Sequence, residues 1–416
     1  MNFSTSKSQK VFSNNQYFNE YIKDQLKDFL TGLIEQILEV EFSEYIRRKK
    51  YARIGKTTGV RLYRNGYRKR NYTAKFCIPM QIRVPRVRGG NFIPGFWKER
   101  GIIDPGLKQL LIHQWTDGNS YRDIKNFVKT AYGNDISIGL MHRIIKAVDK
   151  YVKEYHVREI RHQYDAIYID GLEISLKDHP PRQCHGYGNR RKIKIGKNMV
   201  LLGVLGQRRE GVKTIREMID YRISETENSE SYTELFSSLK KRGLKAEKFR
   251  LAIHDGLAGS ITIALRNVYG KDKVLEQECM FHKLLNVTKL VKDDRNHKEL
   301  RTDVWKVYSQ KSLKLYTESE KNVLKKWRLR EPEAMAVFER YNENLKTKYN
   351  FDERIHKSIE TNNPIERYFK ELRRRIKAIG LFENKESADR LIYLVVESLN
   401  QKRGSLPTND NFKFTH

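Results

Sequence analysis

Three acidic residues occupy positions where carboxylates are unusual and where they would suit metal-dependent chemistry. Asp170 interrupts the run DAIYIDGLEISL, whose apolar residues predict a β-strand. Asp255 follows a second apolar run, Phe249 to Ile253, which predicts another strand. Glu366 falls in the first turn of a strongly predicted helix within TNNPIERYFKELRRR. The three residues lie far apart in the chain, so only folding can bring them together.

A set of two aspartates and one glutamate is typical of sites for Mg²⁺ or Mn²⁺. These hard cations take oxygen ligands and keep open positions for phosphates and water. Two such ions about 3.5–4 Å apart would polarise a phosphodiester, activate a water or a 3′-hydroxyl, and stabilise the departing oxygen. The sequence also contains no G-x-S-x-G motif and no P-loop.

Each carboxylate also has a structural interpretation. Asp170 would suit a solvated strand end, and Asp255 with the glycine after it is an ordinary turn signal. Glu366 stands at the capping-box position of a helix with Asn363 as N-cap and Pro364 in the first turn. Residue types alone leave both interpretations open.

The charge balance indicates a polyanionic partner. The 416 residues include 82 basic and 51 acidic side chains, a net charge of +31, and the basic residues alternate with aromatic ones. This pattern favours nucleic acid, although a merely basic protein is the alternative. No apolar run is long enough for a membrane span or a signal peptide, so we expect a cytoplasmic, nucleoid-associated protein. Cys77, Cys184 and Cys279 are scattered and odd in number, which argues against a disulfide framework.

The first hundred residues predict a helix followed by a basic β element. Apolar residues recur at helical spacing from Tyr17 to Ile46, after a polar tail, and we group residues 1–46 together. That apolar stripe would pack on its own domain or on a second subunit. Residues 47–104 form a basic, β-containing region predicted to contact DNA, with Arg68 among the contacts, and a solvated surface loop is the alternative. Asn65 and Gly66 predict a hairpin turn there.

Residues 105–160 predict a helix-turn-helix DNA-binding domain. Three short helices separated by glycines can be drawn, with Ser120 and Ser137 as N-caps of the second and third. The last helix would present one set of residues to a major groove. That set is Ser137, Gly139, His142, Arg143 and Lys146.

From residue 161 onward the pattern changes to α/β. Three strand candidates with short connections predict an antiparallel meander, and later strand–helix units predict a mixed sheet covered by helices. We divide this region into a catalytic core at 161–289, a helical insertion at 290–357, the final core helices at 358–403 and a tail at 404–416. The basic excursion after Asp170 would place several side chains on DNA phosphates, namely Arg190, Arg191, Lys192 and Lys194.

Cys279 and His282, in QECMFH, have the spacing of half a zinc site. Cys184 and His185 form a poor second pair, so the other half is missing. We interpret Cys279 and His282 as a structural pair beneath the active site.

The order of these motifs resembles that of one family. DGLEISLKD from Asp170, HDGL from His254, CMFH from Cys279 and TNNPIERYFKELRRR from Thr361 closely resemble Mutator-like transposases of prokaryotic insertion sequences. YRNGYRKR, IRVPRVR and FIPGF resemble the amino-terminal region of that family. The match covers about residues 30 to 400, and the combination of motifs is more specific than any one of them.

The resemblance implies a multidomain α/β protein with a ribonuclease H-like mixed sheet, an all-helical insertion and a preceding helix-turn-helix region. It implies a DDE catalytic triad of Asp170, Asp255 and Glu366 that holds two Mg²⁺ or Mn²⁺ ions, with Asp170 preferred to Asp165. Cys279 and His282 correspond to the Cys-x-x-His motif of the family.

The activity implied is DNA transposition. The protein would bind the terminal inverted repeats of its element, cleave there and join the 3′-hydroxyl to target DNA, as a homodimer and by a replicative route through a circular intermediate. Four arginines would lie along the DNA backbone, namely Arg367, Arg373, Arg374 and Arg375. Two alternatives stay open: a ribonuclease H-like nuclease or resolvase without strand transfer, and a catalytically silent DNA-binding regulator.

Overall fold

The computed structural model describes residues 15–52, 62–74, 78–95, 103–132, 135–177, 196–256, 259–340 and 342–405. The chain forms two compact units. The first unit contains residues 1–115 and 119–145, and the second contains residues 116–118 and 146–416. In the described part of the chain, no helix combines the length and the apolar content that crossing a membrane requires.

The first unit begins with the long helix that the apolar spacing predicts. Helix α1 spans Asn15–Tyr45 and packs on a two-stranded antiparallel sheet of β1, Tyr63–Thr73, and β2, Pro79–Arg88. Leu38 of the helix is buried with Ile82 and other apolar residues of β2. Alternate residues of β2 face the helix. One face of α1 therefore packs on the hairpin of its own unit.

The prediction of a hairpin turn at Asn65 and Gly66 is wrong. Both residues lie inside β1, where the pairing with β2 shifts register between Arg64 and Tyr67. Gly66 has a φ of +66°, which suits the left-handed position of a β-bulge as well as that of a tight turn. An Asn-Gly pair is therefore compatible with a bulge as well as with a turn. The connection between the two strands lies further on, between Thr73 and Pro79.

The three helices predicted after residue 105 are confirmed. They are α2, Pro105–Thr116, α3, Tyr121–Tyr132, and α4, Ile138–Lys146. Ser120 caps α3 through a reciprocal pair of hydrogen bonds with Asp123, and the Ser137 hydroxyl accepts from the N–H of Leu140 in α4. A further helix, α5, follows at Asp149–Val157 in the second unit.

The second unit is built on a mixed sheet, as predicted, and its five strands lie in the order β5-β4-β3-β6-β7. The strands β3, β4 and β5 form the expected antiparallel meander, whereas β6 pairs in parallel with β3 and with β7. Their bounds are Ala166–Lys177, Gly196–Glu210, Lys213–Ser224, Leu251–His254 and Leu275–Glu278, from β3 to β7.

Helices cover both faces of this sheet. On one face, α6, Ser229–Lys241, and α7, Ser260–Tyr269, share a core with Ile167 and Leu202 of the sheet. Neighbouring residues of a strand point to opposite faces, so Gly203 faces the other side, where Phe369 lies against it. Phe369 belongs to α14, Asn363–Ile379, which precedes the last helix, α15, Lys385–Lys402.

The stretch before α14 is helical, as predicted, with its own apolar core around Tyr308, Trp327 and Phe338. Its helices are α8, Met280–Thr288, α9, Asp294–Tyr308, α10, Leu313–Trp327, α11, Pro332–Glu339, α12, Glu343–Lys346, and α13, Glu353–Ile359. Strand β7 was not predicted, because its sequence LEQE lacks the apolar or β-branched residues that signal a strand.

Candidate active site

The parallel pairing of β3 and β6 places Asp170 beside Asp255. Ile167 lies opposite Ala252 and Tyr168 opposite Ile253, and each aspartate stands two residues beyond the last of these pairs. Both side chains are half-buried. The two aspartates therefore occupy equivalent positions on neighbouring strands. Asp255 directly follows β6, whereas Asp170 lies within β3, which continues to Lys177, so the expectation that Asp170 ends a strand is wrong.

The start of α14 is fixed to β3 by Asn362. This residue is fully buried, and its side-chain amide donates a hydrogen bond of 3.0 Å to the carbonyl of Ile169, the residue before Asp170. The hydroxyl of Tyr168 donates to the carbonyl of Ser358, 2.6 Å away, in the turn of helix just before. These bonds hold the first turn of α14, which carries Glu366, against the strand of Asp170.

Cys279 completes the connection to the second aspartate. Its backbone N–H donates to the carbonyl of His254, the residue before Asp255, over 2.7 Å. Its Sγ accepts from the backbone N–H of Asn362 at 3.3 Å. One chain of hydrogen bonds thus joins the segments of all three carboxylates through the buried Cys279.

The charges of the carboxylates act on one another. Burial, followed by the charge of Asp255, raises the pKa of Asp170 to about 8, against a hydrogen bond from the N–H of Gly171. Glu366 and Glu227 raise the pKa of Asp170 further. Like charges this close, away from water, are stabilised by a positive ion. The oxygen-only donor set of the triad suits Mg²⁺ or Mn²⁺.

Glu366 has a free oxygen within this cluster. Its Oε1 and the Nδ1 of His282 lie 3.7 Å apart, and both atoms are buried without a hydrogen-bond partner among the described residues. The Sγ of Cys279 joins them in a group whose ligand atoms lie within 4.8 Å of one another. A buried acceptor with no partner is destabilising unless a ligand or water satisfies it, so Glu366 fits a role in cation binding.

The capping-box interpretation of Glu366 is wrong. The N-cap of α14 is Asn362 instead of Asn363, and its side chain does not cap the helix because it bonds to Ile169. Glu366 therefore lies one position later than a capping box requires. Asp165, the alternative to Asp170, is exposed before the start of β3, 3.9 Å from Arg209.

The basic residues expected along DNA differ in exposure. Arg367, Arg373 and Arg374 are exposed on α14, whereas Arg375 is buried and donates to Glu371 at 3.0 Å. Arg375 thus stabilises its own helix instead of facing solvent. The predicted contacts Arg190 and Arg191, with Lys192 and Lys194, lie outside the described residues.

The residues expected to contact DNA on β1 and around α4 are exposed. Burial and the charges of Arg70 and Arg86 lower the pKa of Arg68 on β1, so this surface concentrates positive charge. On α4, Met141, Ile144 and Ile145 are buried. The exposed residues are Ser137 before the helix and Gly139, His142, Arg143 and Lys146 within it.

Two residues of the site were not predicted. Asn362 is one of two adjacent asparagines, and nothing in the sequence distinguishes the buried one. Glu227 stands in an acidic, polar segment, ETENSES, that has the composition of an ordinary loop. Gly171 was a signal in the sequence for the approach of Glu227, because a glycine within a strand indicates that another group lies close to it.

The chain thus combines a mixed sheet covered by helices with a cluster of carboxylates where the pairing of β3 with β6 ends. The family profile described as "Transposase, Mutator family" matches residues 1–403. The chain belongs to the Mutator family of transposases.

Several bacterial relatives align over nearly the whole chain. The transposase for insertion sequence element IS905 of Lactococcus lactis is 26% identical over 389 residues, which cover 93% of this chain and 91% of the relative. The transposase for insertion sequence element IS256 in transposon Tn4001 of Staphylococcus aureus is 25% identical, with 96% and 95% covered. The Drosophila P element transposase strand transfer complex superimposes with a TM-score of 0.31 at 10% identity, over 78% of this chain and 84% of that one.

Proposed function

We propose that the protein binds the terminal inverted repeats of its own insertion sequence, cleaves the DNA there and joins the freed 3′-hydroxyl to target DNA. One observation carries the proposal. Asp170, Asp255 and Glu366, from three distant segments, are held together by the hydrogen bonds of Asn362 and Cys279. Membership of a transposase family supports this use of the cluster.

In this proposal Asp170 and Asp255 hold two Mg²⁺ or Mn²⁺ ions jointly, and Glu366 holds the second. When bound, the ions supply Lewis acidity at the phosphodiester and charge for the departing oxygen. The protein itself positions the carboxylates. The pairing of β3 with β6 fixes the positions of the two aspartates, and the hydrogen bonds of Asn362 fix the position of Glu366. His282, beside Glu366, limits the directions in which that carboxylate can turn.

DNA binding is assigned to exposed basic residues of each unit. We assign end recognition to α4 in a helix-turn-helix, with Arg143 and His142 at base edges and Lys146 at phosphates. Arg68 on the hairpin contacts phosphate. Arg367, Arg373 and Arg374 on α14 lie along the backbone of the DNA being cut.

The wider proposal follows the relatives and the chemistry. We take the core to be ribonuclease H-like, the active form to be a homodimer because two ends must be paired, and the location to be the prokaryotic cytoplasm on the nucleoid. The bacterial insertion-sequence relatives support the last point. The route through a circular intermediate rests on the family resemblance alone.

The test compares Asp255→Asn with Asp165→Asn. We expect Asp255→Asn to bind end DNA normally and to lose cleavage in Mg²⁺, because a neutral amide is a poorer ligand for a hard cation. Asp165→Asn, an exposed change on the same sheet, should keep both activities. The measurement is gel analysis of labelled end DNA with purified protein.

The products of the same reaction separate the alternatives. Cleaved ends joined to a second DNA indicate a transposase, whereas cleavage without joining indicates a nuclease. Undiminished cutting by Asp255→Asn would remove Asp255 from the site. End binding without any cutting by the wild type in Mg²⁺ or Mn²⁺ would indicate a silent regulator.

A further inference from the structure

A fourth carboxylate, Glu227, lies against Gly171, the residue that follows Asp170 on β3. It stands between the end of β5 and the start of α6, next to Asn228, whose side chain caps that helix by accepting from the N–H of Ser231. The capped turn fixes the backbone at this point. Glu227 is half-buried and, in the described part of the chain, forms no ion pair with a basic residue.

The carboxylate of Glu227 fills the space that Gly171 leaves open. A Cβ at residue 171 would lie 2.5 Å from the carboxylate carbon of Glu227 and 2.7 Å from its Oε2. Any residue but glycine would therefore push Glu227 away. Gly171 does not have the positive φ that would otherwise require glycine, and glycine within a strand is unfavourable. The close approach of Glu227 gives this glycine a physical reason.

Tyr232 holds the carboxylate in that place. Its hydroxyl donates a hydrogen bond of 2.7 Å to Oε1 of Glu227, and the ring is fully buried in the core between α6 and the sheet. One oxygen of Glu227 is thus occupied. The carboxylate remains beside Gly171, the residue that follows Asp170 within β3.

A neutral side chain would serve structure better at this position. A glutamine could accept the same hydrogen bond from Tyr232 and would not repel the aspartates. Like charges in a partly buried site destabilise the folded protein unless a cation compensates them. The retained negative charge is therefore best explained by the ions that the site binds.

We propose that Glu227 is a fourth acidic group of the cation site, which raises the affinity of the site for divalent metal. This inference rests on the proposed function, because it assumes that Asp170, Asp255 and Glu366 hold divalent ions. Glu227 acts on the ions through its charge, and the triad supplies the ligands.

Metal binding without DNA provides the test. Melting temperatures of the full chain are measured in EDTA and over a series of Mn²⁺ concentrations, since a ligand that binds only the folded state raises the melting temperature. We expect Glu227→Gln to need about tenfold more Mn²⁺ for half of the maximal shift. In EDTA this variant should melt at the same temperature as the wild type or higher, because a repulsion is removed.

Glu225→Gln is the matched control. Glu225 is exposed two residues away and pairs with Lys197, so its Mn²⁺ dependence should equal that of the wild type. A purely structural Glu227 would give a lower melting temperature in EDTA with an unchanged Mn²⁺ midpoint, and this result would overturn the inference. The direction in which the melting temperature changes in EDTA therefore distinguishes a cation-binding role of Glu227 from a structural one.

A second pair of variants tests the geometry. Gly171→Ala should displace Glu227 and weaken Mn²⁺ binding, whereas Gly171→Ala in a Glu227→Ala background should add little, because the clash is gone. Equal effects of Gly171→Ala in both backgrounds would contradict the proposed contact.

Asp255→Asn distinguishes failure of this inference from failure of the proposed function. If Asp255→Asn abolishes the Mn²⁺ shift and Glu227→Gln leaves it unchanged, the triad stands and the role of Glu227 is refuted. If Asp255→Asn retains the full shift, the ions bind elsewhere and both proposals fail.

Discussion

Single residues with no catalytic chemistry of their own decide where the carboxylates lie. Asn362 is the clearest case, because it donates to the strand of Asp170 and to the sulfur of Cys279. Both bonds are buried, and buried hydrogen bonds matter most when one partner is removed. The position of Glu366 thus depends on an amide four residues earlier.

Asn362→Ala should both destabilise the protein and impair cleavage. The carbonyl of Ile169 would lose its partner in a buried setting, which we expect to lower the free energy of unfolding by about 1–3 kcal/mol. The start of α14 would also gain freedom, so cleavage should fall more than end binding. Denaturant titration and cleavage of end DNA measure the two effects.

Asn363→Ala is the control, since Asn363 is exposed and adjacent. It should leave stability and cleavage near wild-type values. Normal cleavage by a folded Asn362→Ala variant would show that the amide does not position Glu366.

At this scale the sequence was informative about charge and uninformative about contacts. Asp170 and Asp255 stood out because a carboxylate is unexpected in or directly after an apolar strand, and Glu366 stood out within a motif that resembles the family. Asn362 and Glu227 did not, because their importance arises from groups that approach from distant segments. The buried Arg375 illustrates the same limit: its sequence neighbours are exposed arginines, and only the packing of α14 separates it from them.

At the scale of elements, His156 joins α5 to the sheet and to the last helix. Its Nδ1 lies 2.8 Å from Asp220 on β5, and its Nε2 lies 3.3 Å from Asp389 on α15. Burial opposes the charged imidazole, but the hydrogen bonds and charges of Asp220 and Asp389 outweigh it and raise the pKa of His156 to about 9. The protonated histidine therefore stabilises the arrangement of these elements.

This arrangement predicts a pH dependence of stability. A histidine whose pKa is raised on folding contributes stability that is complete below its unfolded pKa of about 6.5 and is lost as pH rises through about 9. The wild type should exceed His156→Gln by on the order of 2 kcal/mol at pH 6, and the difference should shrink toward pH 10. Denaturant titrations across this range measure it.

His297→Gln is the comparison, because His297 is exposed on α9. Its stability should follow that of the wild type at every pH. A difference between wild type and His156→Gln that stays constant up to pH 10 would show that the charge of His156 is not what stabilises the elements.

Most elements could be predicted, and the two errors have physical causes. Long apolar periodicities identified α1, α14 and the meander, since burial of one face imposes a regular spacing. Strand β7 was not predicted because its composition does not favour a strand. Its parallel pairing with β6 holds it in the sheet. The hairpin turn predicted at Gly66 was wrong because a positive φ, which favours glycine, occurs in both turns and β-bulges.

At the scale of the whole molecule, the net charge of +31 favours the proposed binding of DNA. Lysine and arginine side chains that neutralise phosphates make binding strongly dependent on salt, whatever the base sequence. Specific recognition needs contacts with base edges in addition. Substitutions at exposed arginines of the two units should separate these contributions.

Arg143→Ala on α4 should weaken binding to end DNA more than binding to random DNA, with a loss of discrimination of about 1–3 kcal/mol. Arg374→Ala, the matched exposed arginine of α14, should weaken both equally and reduce the salt dependence by about one ion. Titrations of both DNAs at several salt concentrations provide the measurement. Equal losses for Arg143→Ala would make that residue a phosphate contact only.

The central place of β3 in its sheet affects how the protein is made. Asp170 emerges early during synthesis, but its neighbours in the site come from β6, from Cys279 and from α14, which follow much later in the 416-residue chain. A nascent chain on the ribosome therefore lacks the complete set of acidic groups until translation has passed Glu366. Under the proposed function, products that terminate before Glu366 should therefore be unable to cut DNA.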